Sequence, residues 1–296
     1  MIRVILSFYI MMALNVNECL AFHSDHKSNI KDEFIVLSLN NEFLNSSLQS
    51  TDQSKNILAN LIELEFNYPL IFNQNRSFII QGASINQLSI SVLQDVEISN
   101  LWFASYKLAY LQLLRNKFYI YGEILPYMSS STQLKPNIEN LRHQSSVLFG
   151  KRLSSHLNVG IGYIYAMRYE KKFNSLLMII DAQINNVQLY FRYPDYAFIT
   201  HAPSTRWRYG IEGNMPFLNY SVQQHFKNEL SSYLRYQRYK ISGFVRKKIL
   251  DNTYLKVNTG CMNTELCYKN ASHTDIKTLD LNHTFFFQIQ LLYLKQ

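Results

Sequence analysis

Beyond its first residues, the chain has no stretch approaching the ~18 consecutive apolar residues of a membrane helix. That excludes a helical membrane protein after the N-terminal segment. Glycine and proline are sparse, at nine and six residues, which excludes collagen-like and linker-like composition. Charged residues make up only 17% of the chain, against 14% aromatics with 21 Tyr and 19 Phe, so a disordered chain is excluded as well. Cysteine is limited to three residues, too few for a disulfide-built scaffold. Acidic side chains are short of basic ones, giving a formal charge of +8. The excess suits an anionic partner. It is spread along the chain with no long basic block, so nucleic acid is not an expected partner. No His/Cys/Asp spacing resembles a metal site and no Gly-rich phosphate loop occurs, so neither a metal nor a cofactor is expected.

The N-terminus does carry one apolar run. Met1-Ile2-Arg3 opens with a positive charge, "VILSFYIMMAL" (Val4–Leu14) is interrupted only by Ser7, and "NVNECLA" ends on the small Ala21. This three-part layout is that of a secretory signal peptide over residues 1–21. The residue before Cys19 is Glu18, which does not fit a lipid-modified cysteine. Residues 22–56 are rich in Ser, Asn and Asp and read as a polar, flexible leader, with one short apolar run at Phe34–Leu39. From 57 to 296 the texture is uniform, as for one domain. Cys261 and Cys267, in "GCMNTELCYKN", read as a disulfide-closed polar loop in an exported protein.

What is abundant is alternation. In "LNVGIGYIYAMRY" every second residue from Leu157 to Tyr169 is apolar, and small or polar residues mostly fill the places between. Side chains of a strand point alternately to opposite faces, so this is a long strand with one apolar face. The pattern recurs in "LIELEFNYP", "LWFASYKLAYLQLL", "KFYIYGEILPY", "VQLYFRY", "RWRYGIEGNMP" and "FFFQIQLLYLKQ". Turn-forming clusters separate the runs: "FNQNR", "SSSTQLKPNIEN", "PDYAFITHAPST", "LDNT" and the cysteine segment. Several runs approach the ~9–11 residues that a tilted strand needs to cross a bilayer. The aromatics Tyr68, Trp102, Tyr119, Tyr169, Tyr193, Trp207 and Tyr293 stand near the ends of the runs, where amphipathic rings favour a lipid headgroup boundary. With an export signal and no spanning helix, the expected fold is all-β: a closed antiparallel transmembrane barrel of about 12 strands, in a range of roughly 10 to 14. Its apolar face meets lipid and its polar face lines the interior.

The segments "GIGYIYAMRY" (Gly160–Tyr169) and "WRYGIEGNMPFLNY" (Trp207–Tyr220) resemble a family of uncharacterised bacterial outer-membrane β-barrels, the second as a tryptophan-headed strand closing on a proline turn. The resemblance implies an outer-membrane location, and with it outer-membrane lipid, lipopolysaccharide included, and the barrel-assembly machinery as partners. It implies no activity.

The charged residues on the polar faces are the candidate lumen set: Arg168, Arg192, Arg206, Arg208 and Arg246, with Glu63, Glu65, Glu123 and Glu212. Charges of both signs facing a lumen set a field that selects ions, and a cationic excess favours anions. The leading functional expectation is a passive or solute-selective pore. The alternative is a non-conducting structural or adhesion barrel that binds envelope or host partners through basic loops such as "EKKFN". A lipid hydrolase ranks last: His143, His156, His201, His225, His273 and His283 have Ser or Asp neighbours, but the sequence is rich in both, and no catalytic residue is assigned.

Overall fold

The alternating runs fold as strands, with short turns between many of them. A computed structural model describes residues 34–49, 54–72, 77–92, 100–131, 141–167, 172–215, 217–226, 229–270, 272 and 275–295. Fifteen strands occupy them: β1 (Phe34–Gln49), β2 (Ser54–Phe72), β3 (Ser77–Val92), β4 (Leu101–Leu113), β5 (Phe118–Ser131), β6 (Arg142–Ser154), β7 (Leu157–Met167), β8 (Lys172–Ile184), β9 (Val187–Tyr193), β10 (Tyr196–His201), β11 (Trp207–Asn214), β12 (Phe217–Phe226), β13 (Glu229–Leu250), β14 (Thr253–Lys269) and β15 (Asp275–Lys295). Among the described residues no helix is long and apolar enough to cross a membrane, a fact that does not bear on strands.

Consecutive strands pair antiparallel from β1 to β11; β11 pairs with β13, and β13, β14 and β15 continue the ring back to β1. Fourteen strands thus close a barrel, as expected in type and at the upper end of the expected number. The fifteenth, β12, is not a separate stave. Asn214 of β11 faces Lys240 of β13, and Phe217 of β12 faces Gln237, so β12 continues along β13 in the register of β11 as far as Ser221, beyond which the register shifts. The interruption falls at 215–216, where the sequence places a proline, a residue without an N–H for the ladder.

At one end of the barrel, the turn end, the connections are tight. Ser155-His156, Asn185-Asn186 and Asp251-Asn252 each join two strands. Asn185 and Asn252 have φ of 52° and 61°, the left-handed conformation that short hairpins require and that asparagine tolerates. Four segments differ from their sequence reading. "PDYAFITHAPST", read as a turn, contains strand β10, because the hairpin it forms with β9 needs only Pro194-Asp195 to reverse. The segment 22–56, read as a leader, contributes all of β1 and the start of β2; the alternation Leu37, Leu39, Phe43 is masked there by the polar residues between and beyond. The cysteine segment is not a loop but part of β14, and neither thiol is in a disulfide, Cys261 being exposed and Cys267 buried. Six residues of extended chain separate them by about 20 Å, far beyond the ~7 Å Cα limit for a disulfide. Finally, β12 crosses from β13 to make one parallel bridge to β5, Ser221 opposite Ser130. The expected signal segment, residues 1–21, lies outside the described residues.

That bridge closes a second, smaller circuit. Beyond the break at 215–216, β1–β5 and β12–β15 form a nine-strand ring, while β6–β11 belong only to the larger one. A small ring has room only for its own side chains. Leu61, Leu88, Leu101, Leu234, Tyr236, Met262, Leu266 and Phe286, all on strands of this ring, are fully buried. The barrel is therefore wide toward the turn end and packed toward the other.

Burial is inverted relative to a water-soluble barrel. Ile241, Ile161, Ile85 and Ile211 are 69%, 57%, 60% and 57% exposed, whereas Glu42, Lys240 and Arg238 are 0%, 5% and 6% exposed. On the strands whose side chains are described, the outward faces are largely apolar, and most of the charged side chains point in together with the packed leucines of the nine-strand ring. Tyr68, Trp102, Tyr193, Trp207 and Tyr293 stand on the outward parity of their strands, near strand ends. Tyr119 does not. It points inward, and its ring lies where a side chain at Gly150, opposite on β6, would have to be. Its strand parity is that of Glu123, so the placement was implicit in the alternation. Tyr169 lies outside the described residues.

Candidate functional site in the barrel lumen

Inward-pointing polar residues on seven strands form one connected network. At its centre Glu212 of β11 accepts hydrogen bonds from the Tyr196 hydroxyl (3.0 Å), Lys256 Nζ (2.6 Å) and Asn258 Nδ2 (2.7 Å). Asn258 Nδ2 also reaches Gln288 Oε1 at 2.9 Å, and Gln288 Nε2 donates to Asn40 Oδ1 at 2.8 Å. Asn40 Nδ2 in turn donates to Glu63 at 3.3 Å. Lys240 links Gln288 to Glu42, which also receives Arg238 at 2.7 Å. The network holds three carboxylates and three cations, each brought inward by strand parity. At these burials the attraction has to offset a large desolvation cost, which the added amide hydrogen bonds help to do.

Below this network, toward the turn end, the lumen opens into a cavity of about 960 Å³. Among the described residues its lining includes Lys117, Arg152, Arg192, Arg208, Arg246 and Lys256, and two carboxylates, Asp181 and Glu212. Two apolar clusters flank it: Leu148, Ile164 and Leu177 with Tyr119 and Ile179 on one wall, and Tyr254, Leu292 and Leu294 on the other. A stack of rings completes it, Tyr190 against Phe198 with centroids 5.3 Å apart and Tyr196 at 5.7 Å from Phe198.

The sequence-derived lumen set largely occupies this interior. Arg192, Arg208, Arg246 and Glu212 line the cavity, with Arg192 3.5 Å from Asp195. Glu123 is buried and accepts the Tyr121 hydroxyl at 2.5 Å. Glu63 belongs to the network, and Glu65 lies 3.7 Å from Lys107 and accepts Asn67 at 2.8 Å. Arg206 departs from the expectation: it is exposed in the 202–206 connection at the turn end, one residue before β11 begins, so strand parity does not govern it. Arg168 lies outside the described residues. Of the histidines with Ser or Asp neighbours, His156 shares an exposed turn with Ser155 (2.9 Å) and His201 meets the Tyr209 hydroxyl (2.7 Å), neither lining the cavity, while His273 lies outside the described residues.

Glu42, Arg238, Lys240 and Lys256 were missed, although the signal was present. In "YQRYKISGFV", Tyr239, Ile241 and Val245 alternate with Arg238, Lys240 and Ser242, and in "LSLNNEF", Leu39 and Phe43 alternate with Asn40 and Glu42.

No family model and no curated protein matches the sequence. Among solved structures, the chain is similar to an outer-membrane channel from Pseudomonas putida F1, at 7% identity and a TM-score of 0.48 over 92% of this chain and all of that one. It is also similar to the NanC porin, at 11% identity and a TM-score of 0.36 over 87% of this chain and 99% of the other. A third is the translocator domain of the autotransporter NalP from Neisseria meningitidis, at 6% identity and a TM-score of 0.35, with 97% of this chain and 92% of that one covered.

Proposed function

We propose that this chain is an outer-membrane β-barrel acting as a passive pore with an anion-favouring interior. The observation that carries the reading is the turn-end cavity, about 960 Å³ in volume and lined by six cationic and two acidic side chains. A lumen with one sign in excess concentrates counter-ions and raises a barrier to co-ions. The outer-membrane placement is supported by the inverted burial: an apolar exterior is costly in water and favourable in hydrocarbon, and a closed sheet leaves no backbone group unpaired there. The export signal expected at residues 1–21 points the same way. On this reading the exterior contacts outer-membrane lipid, lipopolysaccharide included, and insertion proceeds through the barrel-assembly machinery.

The far end favours a second reading, a non-conducting barrel that works through its loops. The β12–β5 bridge and the buried side chains of the nine-strand ring narrow the lumen there. Planar-bilayer recording with purified protein separates the two. Under an about tenfold KCl gradient the pore reading expects discrete conductance steps and a reversal potential displaced toward chloride. Absence of conductance sinks the pore, and a displacement toward potassium sinks its anion preference.

A further inference from the structure

Strand register sets three lumen cations side by side. Arg208 of β11 is directly opposite Arg246 of β13, and Arg246 is directly opposite Lys256 of β14. All three line the turn-end cavity. Directly paired like charges on neighbouring strands, with Cβ atoms ~5 Å apart, weaken a sheet. A row of three is therefore a feature to be explained. Two of the three are held in place by rings: the Arg246 guanidinium sits 4.9 Å from the centre of Tyr254 and Lys256 Nζ 4.4 Å from that of Phe244. Such contacts fix a cation without neutralising it. Glu212, which lines the same cavity, bonds Lys256 at 2.6 Å, and the described lining of the cavity as a whole holds six cationic side chains against two acidic ones.

The same cavity offers apolar surface beside the row. The Tyr196 hydroxyl donates to Glu212, the group that Lys256 also bonds, so the Tyr190–Tyr196–Phe198 ring cluster lies next to the cations. Leu292 and Leu294 pack with Tyr254, the ring under Arg246. A charged end and an apolar body meet in one enclosure.

We propose that the row Arg208–Arg246–Lys256 is a binding site for organic anions: an acid group seated against the cations with an apolar, planar body against the neighbouring rings. The proposal rests on the pore reading for its purpose but not for its test. Paired guanidinium groups suit a carboxylate or phosphate because their N–H forks engage two oxygens at once. An inorganic ion would use only the charge, and a neutral ring only the apolar wall. The site therefore asks for both in one molecule.

Equilibrium dialysis of the full chain in detergent, with the same detergent on both sides, tests this without requiring conduction. The probes are 2-naphthoate, its neutral counterpart 2-naphthamide, and acetate. Saturable binding of one naphthoate per chain is expected, with naphthamide and acetate each weaker by about tenfold or more. The double variant R208Q/R246Q should lose naphthoate binding by a similar factor, R246K should keep most of it, and R206Q, at the exposed turn, should keep all of it. Equal binding of naphthoate and naphthamide by the unaltered protein overturns the site, whatever the variants do. So does naphthoate binding unchanged in a double variant that still migrates as a folded barrel on an unheated gel. Binding without conductance leaves the site standing and removes the pore, and conductance without naphthoate binding does the reverse.

Discussion

At the residue scale, Glu42 is the most consequential side chain in the barrel. It is fully buried and receives both Arg238 and Lys240, which stand two apart on the same face of β13. Its carboxylate is the charge that makes their adjacency tolerable. Glu42→Gln keeps the shape and removes the charge that both buried cations bond. Removing one partner of a buried ion pair costs about 3–5 kcal/mol, and urea unfolding of the variant in detergent should show a loss in that range. A change under about 1 kcal/mol would mean that water reaches the pair and screens it. The inward set also shows what sequence can and cannot resolve at this scale. Arg192, Arg208, Glu212 and Arg246 line the cavity, and each lies within a run whose outward residues are apolar. Parity gave no warning for Arg206, where the strand had not yet begun. Tyr119 departs for the opposite reason: an aromatic near a strand end suits the headgroup boundary, but its parity is that of Glu123, and Gly150 across the ladder supplies the room that an inward ring needs.

At the element scale, β14 carries the sharpest departure. Two cysteines spaced as in "CMNTELC" suit a small ring if the chain between them bends, and the residues Asn263, Thr264 and Glu265 suggest a bend. Pairing overrides that local preference: β14 is flanked by β13 and β15 along nearly its whole length, so the segment stays extended. The expected result is that Cys261 and Cys267 both alkylate in denatured protein without reductant, as read by peptide mass. A Cys261–Cys267 cross-linked peptide would contradict the extended strand. The merged stave of β11 and β12 was also beyond local reading. A proline turn after "WRYGIEGN" looks like the end of a hairpin, and only the shared partner β13 reveals that the chain continues in line. Likewise the β12–β5 bridge joins residues 221 and 130, a contact that no alternation pattern encodes.

At the scale of the whole molecule, what was legible was the inversion itself. Alternation says that one face is apolar but not which medium meets it. Strand length, aromatic placement and the lack of a spanning helix favour lipid, and the outward isoleucines and inward charges accord with that reading. In the membrane reading, the mature chain should require detergent to stay monodisperse and should migrate faster on a gel before heating than after. A folded, monodisperse protein in plain buffer would refute the exterior assigned to every strand.

The wall of this barrel is uneven: β9 and β10 have seven and six residues, whereas β13 and β15 have 22 and 21. Tilted by ~40°, a seven-residue strand rises about 18 Å, short of the ~25 Å apolar band of a typical outer-membrane barrel. In the membrane reading, lipid beside that hairpin has to compress, while lipid beside β2 and β3, which the ring order places opposite and which have 19 and 16 residues, does not. The resulting line tension would lean the barrel toward its low side and give it a preferred direction in which to meet a neighbour.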